Sequence, residues 1–370
     1  MSVFTSDDFQ MMSRAIALAK RGMYTTSPNP NVGCVIARDA RVVGEGYHAK
    51  AGEPHAEVHA MRMAGEQAKG ATAYVTLEPC SHYGRTPPCA EGLIKAGVSR
   101  VVCAMKDPNP QVAGRGIAML EQAGIDVTVG LLEEEARALN PAFLKRMETG
   151  RPFVQLKLAA SLDGQTALAN GASQWITSPQ ARQDVQHYRA QASAILSTSQ
   201  TVIADNASLN VRWHDLPDYV QAIYPQAQLR QPTRVILDRQ HQLFADLKLY
   251  QQAGPIVTVS EQNADLCVGA DEHGRLSLPD VFHRLANEHQ LNHIWVEAGA
   301  TLARSLLQAQ LVDELIVYLA PKIMGSDGRG LLGALGLMDM KQVMQFSIRD
   351  IRQVGSDIRV VLAPQPLTNE

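Results

Sequence analysis

Two short segments in the first quarter of the chain constrain its fold more than any other feature. One is Pro54-His55-Ala56-Glu57. The other runs from Pro79-Cys80 to Pro88-Cys89, with eight residues between the two thiols. Together they offer an imidazole, two thiols and a carboxylate. N and S donors of this kind suit zinc, and three of them leave the fourth tetrahedral position open, as chemistry at the metal requires. The stretch between the thiols, Ser81 to Pro88, is rich in Pro, Gly and polar groups and reads as a loop. It leaves Cys80 at the end of a strand and Cys89 at the start of a helix, where a thiol ionises more easily. Pro54 at the first helical position opens another helix, with His55 and Glu57 near its N-terminus.

His-x-Glu followed by Pro-Cys-x-x-Cys is a signature of zinc deaminases that act on nucleobases. Zinc lowers the pKa of water toward neutrality, and Glu57 is then free to move protons. This chain departs from the signature in the length of its inter-cysteine loop. His59 lies four residues after His55 on the same helix face, so these two form a rival ligand pair. That pair leaves the Pro-Cys segment unexplained, and His59 reads as a packed helix histidine. A closed, purely structural zinc site needs a fourth protein ligand, for which His82 is the one neighbour worth testing.

At 370 residues the chain is long enough for two domains. A net charge of −3 gives no basic footprint for general nucleic-acid binding. No apolar run reaches the length of a membrane span, and Met1 to Gln10 lacks the pattern of a secretory signal. Of five cysteines, two are claimed by metal, which points to a reducing compartment. The expected location is the cytoplasm. Cys34, Cys103 and Cys267 sit in apolar runs and read as small buried hydrophobes.

Helical and strand patterns alternate along the first half, the mark of a layered α/β fold. A helix capped by Ser6 runs to Arg21. Strands are expected at Val32 to Ala37, Arg41 to Glu45, Ala73 to Leu77, Arg100 to Met105 and Ile125 to Val129. A helix opened by Cys89 closes at Gly97, another spans Gly116 to Ala123, and one helix spans Glu133 to Met147. Gly150 and Pro152 break the pattern, placing the boundary between 1–149 and 150–370. A second alternating series follows, with strands at Phe153 to Ala159, Ala194 to Leu196, Arg234 to Asp238, Ile256 to Val259, His293 to Val296 and Glu314 to Leu319. Gln345 to Leu362 reads as an antiparallel hairpin around Gly355-Ser356.

The order of motifs resembles the bifunctional deaminase–reductase family of riboflavin biosynthesis over nearly the whole chain. In the first half the motifs are Pro28-Asn29-Pro30-Asn31-Val32-Gly33, Gly46-Tyr47-His48, His55-Ala56-Glu57, Pro79 to Cys89, and Lys106-Asp107-Pro108-Asn109-Pro110. The eight-residue spacing is that family's own form of the deaminase motif. In the second half they are Lys157 to Gly164, Ser173 to Thr177, Thr201 to Asp205, and Val296-Glu297-Ala298-Gly299.

The resemblance implies a cytidine-deaminase-like three-layer domain followed by a dihydrofolate-reductase-like domain. The first would remove the exocyclic amine of 2,5-diamino-6-(5-phosphoribosylamino)pyrimidin-4-one. His55, Cys80 and Cys89 would hold Zn²⁺, with Glu57 as general acid–base. Asn29, His48, His82, Arg85, Asp107 and Asn109 would form the substrate pocket; amides and carboxylates suit a pyrimidine edge, and Arg85 suits a phosphate. The second domain would use NADPH to reduce the ribosyl chain of 5-amino-6-(5-phosphoribosylamino)uracil to ribityl.

Matching positions extend to that second site. Ala159, Trp175, Thr201 and Asp205 would contact the nucleotide, together with Gly299, Ala300, Thr301, Leu302, Ala303, Arg304 and Ser305 at a helix start. Arg239 is a candidate partner for a 2′-phosphate. Ser173, Arg189, Leu209, Arg212 and Glu297 would contact the phosphorylated substrate, the two arginines as bidentate phosphate binders. Trp175 can equally be read as a packed core residue. The expected partners are phosphorylated pyrimidines and a second copy of the chain, with no nucleic acid and no membrane. A deaminase of free cytosine, cytidine or tRNA adenosine would share the first half but would not need the second. A zinc-stapled binding protein would need the fourth ligand.

Overall fold

The computed structural model describes residues 4–83, 87–110 and 112–365. The chain divides into two compact units, Met1–Gly150 and Arg151–Glu370.

In the first unit the elements are α1 (Ser6–Ala19), β1 (Gly33–Arg38), β2 (Arg41–Tyr47), α2 (Ala56–Ala64), β3 (Thr72–Val75), α3 (Cys89–Ala96), β4 (Arg100–Cys103), α4 (Arg115–Gln122), β5 (Asp126–Val129), α5 (Glu133–Ala138) and α6 (Pro141–Thr149). The sheet order is β2-β1-β3-β4-β5. β1 runs antiparallel to β2 and β3, while β3, β4 and β5 are parallel. Alternate strand residues feed two cores. Cys34, Ile36, Val75 and Val101 pack with α2, α3 and α4; Val35, Ala37, Tyr74 and Val102 pack with α1, α5 and α6. The result is a three-layer α/β/α sandwich, as period-two alternation across a sheet covered on both faces requires.

Three local expectations are corrected. The cap of α1 is Thr5, not Ser6: the Thr5 side chain accepts from Asp8 N–H while the Asp8 carboxylate accepts from Thr5 N–H. The helix expected from Pro54 begins at Ala56, with His55 as its N-cap residue in extended conformation. The expected helix from Glu133 to Met147 is two helices, broken at Asn140, because Pro141 takes the first position of α6 and cannot sit inside a continuing helix.

In the second unit the elements are β6 (Phe153–Ser161), β7 (Gln165–Ala167), α7 (Pro179–Gln191), β8 (Ala194–Thr198), α8 (Ser199–Asp205), α9 (Asp218–Gln221), β9 (Thr233–Leu237), β10 (Ile256–Ser260), β11 (Leu266–Cys267), α10 (Leu278–Asn287), β12 (His293–Glu297), α11 (Ala300–Gln308), β13 (Glu314–Ala320), β14 (Arg329–Gly330), β15 (Phe346–Val354) and β16 (Asp357–Pro364). The large sheet has the order β11-β10-β9-β8-β12-β6-β13-β16-β15. It is parallel from β11 to β13 and antiparallel through β16 and β15. Leu196, Val235, Ile294 and Val296 face α10 and α11, whereas Ile195, Ile236 and Trp295 face α7 and α8. Cys267 is exposed, contrary to its apolar context in the sequence, because it ends a two-residue edge strand. Among the described residues no helix is long and apolar enough to cross a membrane.

Candidate active sites

The first site forms where α2, α3 and the end of β3 converge. α2 lies flat on β2 because Gly44 and Gly46 carry no side chain. A Cβ on Gly44 would sit 2.2 Å from Ala60 O, and one on Gly46 would sit 2.7 Å from Ala56 O. This brings His55 and Glu57 to the segment after β3. His55 Nδ1 lies 3.6 Å from Cys80 Sγ and 3.4 Å from Cys89 Sγ, and all three donor atoms fall within 4.8 Å of one another. A tetrahedron with Zn–S of about 2.3 Å and Zn–N of about 2.0 Å has N···S edges of about 3.5 Å. The donor set therefore fits zinc in identity and in spacing. Neither His59 nor His82 belongs to this cluster.

The Cys89 N–H donates to Cys80 Sγ at 3.3 Å, so the start of α3 faces a thiolate. Hydrogen bonds from Cys89 and then from His55 hold the Cys80 thiol down to about 4 despite its burial. Cys89 is displaced upward, because it is the donor to that thiolate. His55 is raised by its bond to Cys80. Glu57 is 3% exposed, and burial, then the Cys80 charge, push it up to about 7.

Glu57, His55 and Cys80 open onto a cavity of about 530 Å³. Asn29, His48, His82, Asp107 and Asn109 all line it. Arg85 lies outside the described residues. His48 Nδ1 donates to Pro54 O at 3.2 Å, which leaves Nε2 to accept from Asn29 Nδ2 at 3.1 Å. Asn29 thus keeps its carbonyl oxygen for a ligand. Burial raises Asp107 to about 6, and its Oδ1 accepts from Asn109 N–H at 2.8 Å.

Three residues of this site escaped the sequence reading. Phe143 of α6 lines the cavity. Asn140 accepts from Asn31 N–H at 2.6 Å and donates to Asn31 O at 2.9 Å, fixing the loop that carries Asn29. Glu78 accepts four backbone N–H bonds. The only local signal was Asn140 before Pro141, which marks a helix start but not a partner far along the chain.

The residues expected for a second site gather around Glu297 at the carboxyl end of β12, beside β6; ligands of open parallel sheets bind beyond such strand ends. Glu297 ends β12 and pairs in register with Lys157 of β6. Arg189 of α7 takes both Glu297 oxygens, Nε to Oε1 at 2.6 Å and Nη2 to Oε2 at 2.8 Å. Trp295 Nε1 donates to Oε1 at 2.7 Å. Burial alone would raise Glu297, but the Arg189 charge and its hydrogen bonds hold it near 2. Burial lowers Lys157, a residue within a recognised motif that received no role from the sequence. Burial raises Asp205 at the end of α8, against the pull of Lys157.

Other expected residues are distributed as follows. Ala159 stands two residues beyond Lys157 on the same face of β6, and Thr201 lies on α8 with its N–H bonded to Thr198 Oγ1 at 3.2 Å. Ser173 and Trp175 occupy the loop between β7 and α7. Trp175 is 64% exposed beneath Arg182, which settles against the core reading. Gly299 caps α11, and Ala303 N–H already donates to Gly299 O, so the free amides are those of the first turn, Ala300 to Leu302. Leu302, Ala303 and Leu209 bury their side chains in the core. Arg304 donates to Ala334 O at 2.9 Å, and Ser305 lies within α11. Arg212 pairs with Asp215 on the surface, and Arg239 pairs with Glu261 at 2.6 Å.

These two sites define a zinc-centred deaminase domain joined to a doubly covered, mainly parallel reductase-like sheet. Residues 5–105 match the cytidine and deoxycytidylate deaminase zinc-binding region, and residues 152–360 match the RibD C-terminal domain. The riboflavin biosynthesis protein RibD of Escherichia coli K12 is 57% identical over 95% of this chain and 98% of its own. That of Haemophilus influenzae is 53% identical over 98% and 99%. The solved structure of Acinetobacter baumannii RibD superposes with a TM-score of 0.90 at 46% identity, covering 97% of this chain and 99% of that one. The diaminohydroxyphosphoribosylaminopyrimidine deaminase/5-amino-6-(5-phosphoribosylamino)uracil reductase of Thermotoga maritima gives 0.84 at 32% identity over the same shares. The chain belongs to the RibD family of bifunctional riboflavin-biosynthesis enzymes, hydrolase and oxidoreductase in one polypeptide.

Proposed function

We propose that residues 1–149 hydrolyse the exocyclic amine of 2,5-diamino-6-(5-phosphoribosylamino)pyrimidin-4-one, and that residues 150–370 reduce the ribosyl chain of the product to ribityl with NADPH. The observation that carries the reading is the His55, Cys80, Cys89 donor cluster, two of whose members, His55 and Cys80, line one cavity with Glu57, Asn29, His48, Asp107 and Asn109. His55, Cys80 and Cys89 would hold Zn²⁺, which would supply a water activated as nucleophile at neutral pH. Glu57 carries one proton from the attacking water to the ring nitrogen as the C–O bond forms, and then a second, from the resulting hydroxyl, to the amine, which departs as ammonia as the C–N bond breaks and the carbonyl forms. Glu57 is buried at the wall of the same cavity, where its carboxyl group can reach the reacting atoms away from bulk water. Asn29 and Asp107 read the pyrimidine edge, and His48 fixes Asn29.

In the second unit NADPH, when bound, supplies hydride. The first-turn amides of α11 would hold its diphosphate. Arg189 is committed to Glu297, so the substrate phosphate is assigned to Arg212, whose side chain pairs with exposed Asp215. A 2′-phosphate reaching Arg239 has to displace Glu261.

The test is an assay of the diaminopyrimidine substrate with and without NADPH, following ammonia and NADPH oxidation separately. Ammonia is expected without NADPH, and NADPH oxidation only once deaminated product is present. Equal ammonia release from cytidine would overturn the substrate assignment.

A further inference from the structure

Glu78 is 4% exposed and stands three residues beyond the end of β3, two before Cys80. Its Oε2 accepts from Asp107 N–H at 3.2 Å and Gly114 N–H at 3.0 Å. Its Oε1 accepts from Gly116 N–H at 2.9 Å and Ile117 N–H at 3.3 Å. An ionised carboxylate can take four donors on its two oxygens, and the two at Gly116 and Ile117 are unpaired first-turn amides of α4, where negative charge is favoured. One side chain therefore ties Asp107 to the segment 112–117. That segment presses against the next residue as well: a Cβ on Gly116 would lie 2.0 Å from Pro79 O. Asp107 and Asn109 line the cavity beside Cys80.

We propose that Glu78 is a positioning residue of the deaminase pocket, setting the wall that carries Asp107 and Asn109 at a fixed distance from the Cys80 end of the donor cluster. The proposal rests on reading this cavity as the deamination pocket. Glu78 does not touch the substrate; it acts through the amides it holds.

Glu78→Gln tests it. Glutamine keeps the length but offers one acceptor oxygen, and its NH₂ would face two N–H donors. Loss of even one charge-assisted bond of the clasp corresponds to about tenfold in an equilibrium constant. The expected result is a KM for the diaminopyrimidine raised about tenfold or more, with kcat nearly unchanged. Zinc content and NADPH oxidation on the deaminated product should be unaltered. A merely structural role would lower the active fraction and leave KM alone. An unchanged KM in a zinc-loaded variant overturns the proposal, as does loss of zinc, which would assign Glu78 to the metal site. If the variant does not fold, hydrogen exchange of the unsubstituted protein decides. The amides of Asp107, Gly114, Gly116 and Ile117 should exchange as slowly as those of β3, and free-loop rates overturn the clasp. Absence of ammonia release by the unsubstituted enzyme would instead sink the pocket reading itself, and the two failures are told apart by that control.

Discussion

Replacing Glu297 with Gln should separate the second unit's stability from the first unit's chemistry. The Arg189 and Glu297 side chains are only 11% and 16% exposed and form a two-pronged pair. Glu297 is held from 4.5 to about 2. That depression corresponds to about 3 kcal/mol of folding free energy. Removing one member of a buried pair costs about 3–5 kcal/mol by the independent measure of such truncations. The two agree, so Glu297→Gln should destabilise the second unit by about 3 kcal/mol near pH 7, a fall in Tm of about 6–12 °C. Because the folded pKa is depressed, the contribution is complete above the unfolded value near 4.5 and vanishes as pH falls toward 2. The gap between variant and parent should therefore be constant from pH 7 to 5.5 and narrow below pH 4.5. The three tryptophans, Trp175, Trp213 and Trp295, all lie in the second unit, so urea unfolding followed by their fluorescence reports that unit alone. Ammonia release should persist. A difference under about 1 kcal/mol at pH 7, or one that does not shrink with acid, would refute the pairing argument.

Three further outcomes follow from the two sites. Glu57→Gln should retain zinc, measured as metal content, while ammonia release falls by about a hundredfold or more, since Gln cannot carry protons; near-normal turnover sinks its role. Cys89→Ser should lose both zinc and deamination, a neutral hydroxyl being a poor ligand, yet still oxidise NADPH when given deaminated product; loss of both activities together would show that the donor cluster supports the second unit's fold. Arg212→Ala should weaken binding of the deaminated product by about ten- to a hundredfold and leave NADPH titrations unchanged; equal weakening of both ligands would move Arg212 out of the phosphate site.

Much of the first site was readable in linear order because its chemistry rests on local grammar. Pro88 before Cys89 starts α3, Gly97 in left-handed conformation ends it, and the loop between the thiols has the composition of a loop. The zinc donors and Glu57 could be named from residue type and spacing, whereas Asn29, His48, Asp107 and Asn109 were implied by the family resemblance; all four line the cavity that His55 and Cys80 share. The alternating apolar patterns likewise located most strands, since a strand buried on both faces announces itself within five residues, as in β8 and β12. Local reading erred where two local rules competed. Apolar residues at Ala136, Phe143 and Leu144 carry a helical pattern across Asn140, and only the Pro141 start divides it.

What the tertiary structure alone decided is who meets whom. Lys157 stands beside Glu297 because β6 and β12 are neighbours in a sheet whose order bears no simple relation to chain order. Arg189 reached Glu297 across 108 residues, and Asn140 reached Asn31 across 109. The same holds for Glu78, which stands just before the Pro79-Cys80 motif in sequence and accepts from four amides far along the chain in space. A spacing pattern records the geometry of one element, which is set by bonded neighbours. Hydrogen bonds between elements depend on strand order and on the close approach that residues such as Gly44, Gly46 and Gly116 permit, and those are properties of the packed chain.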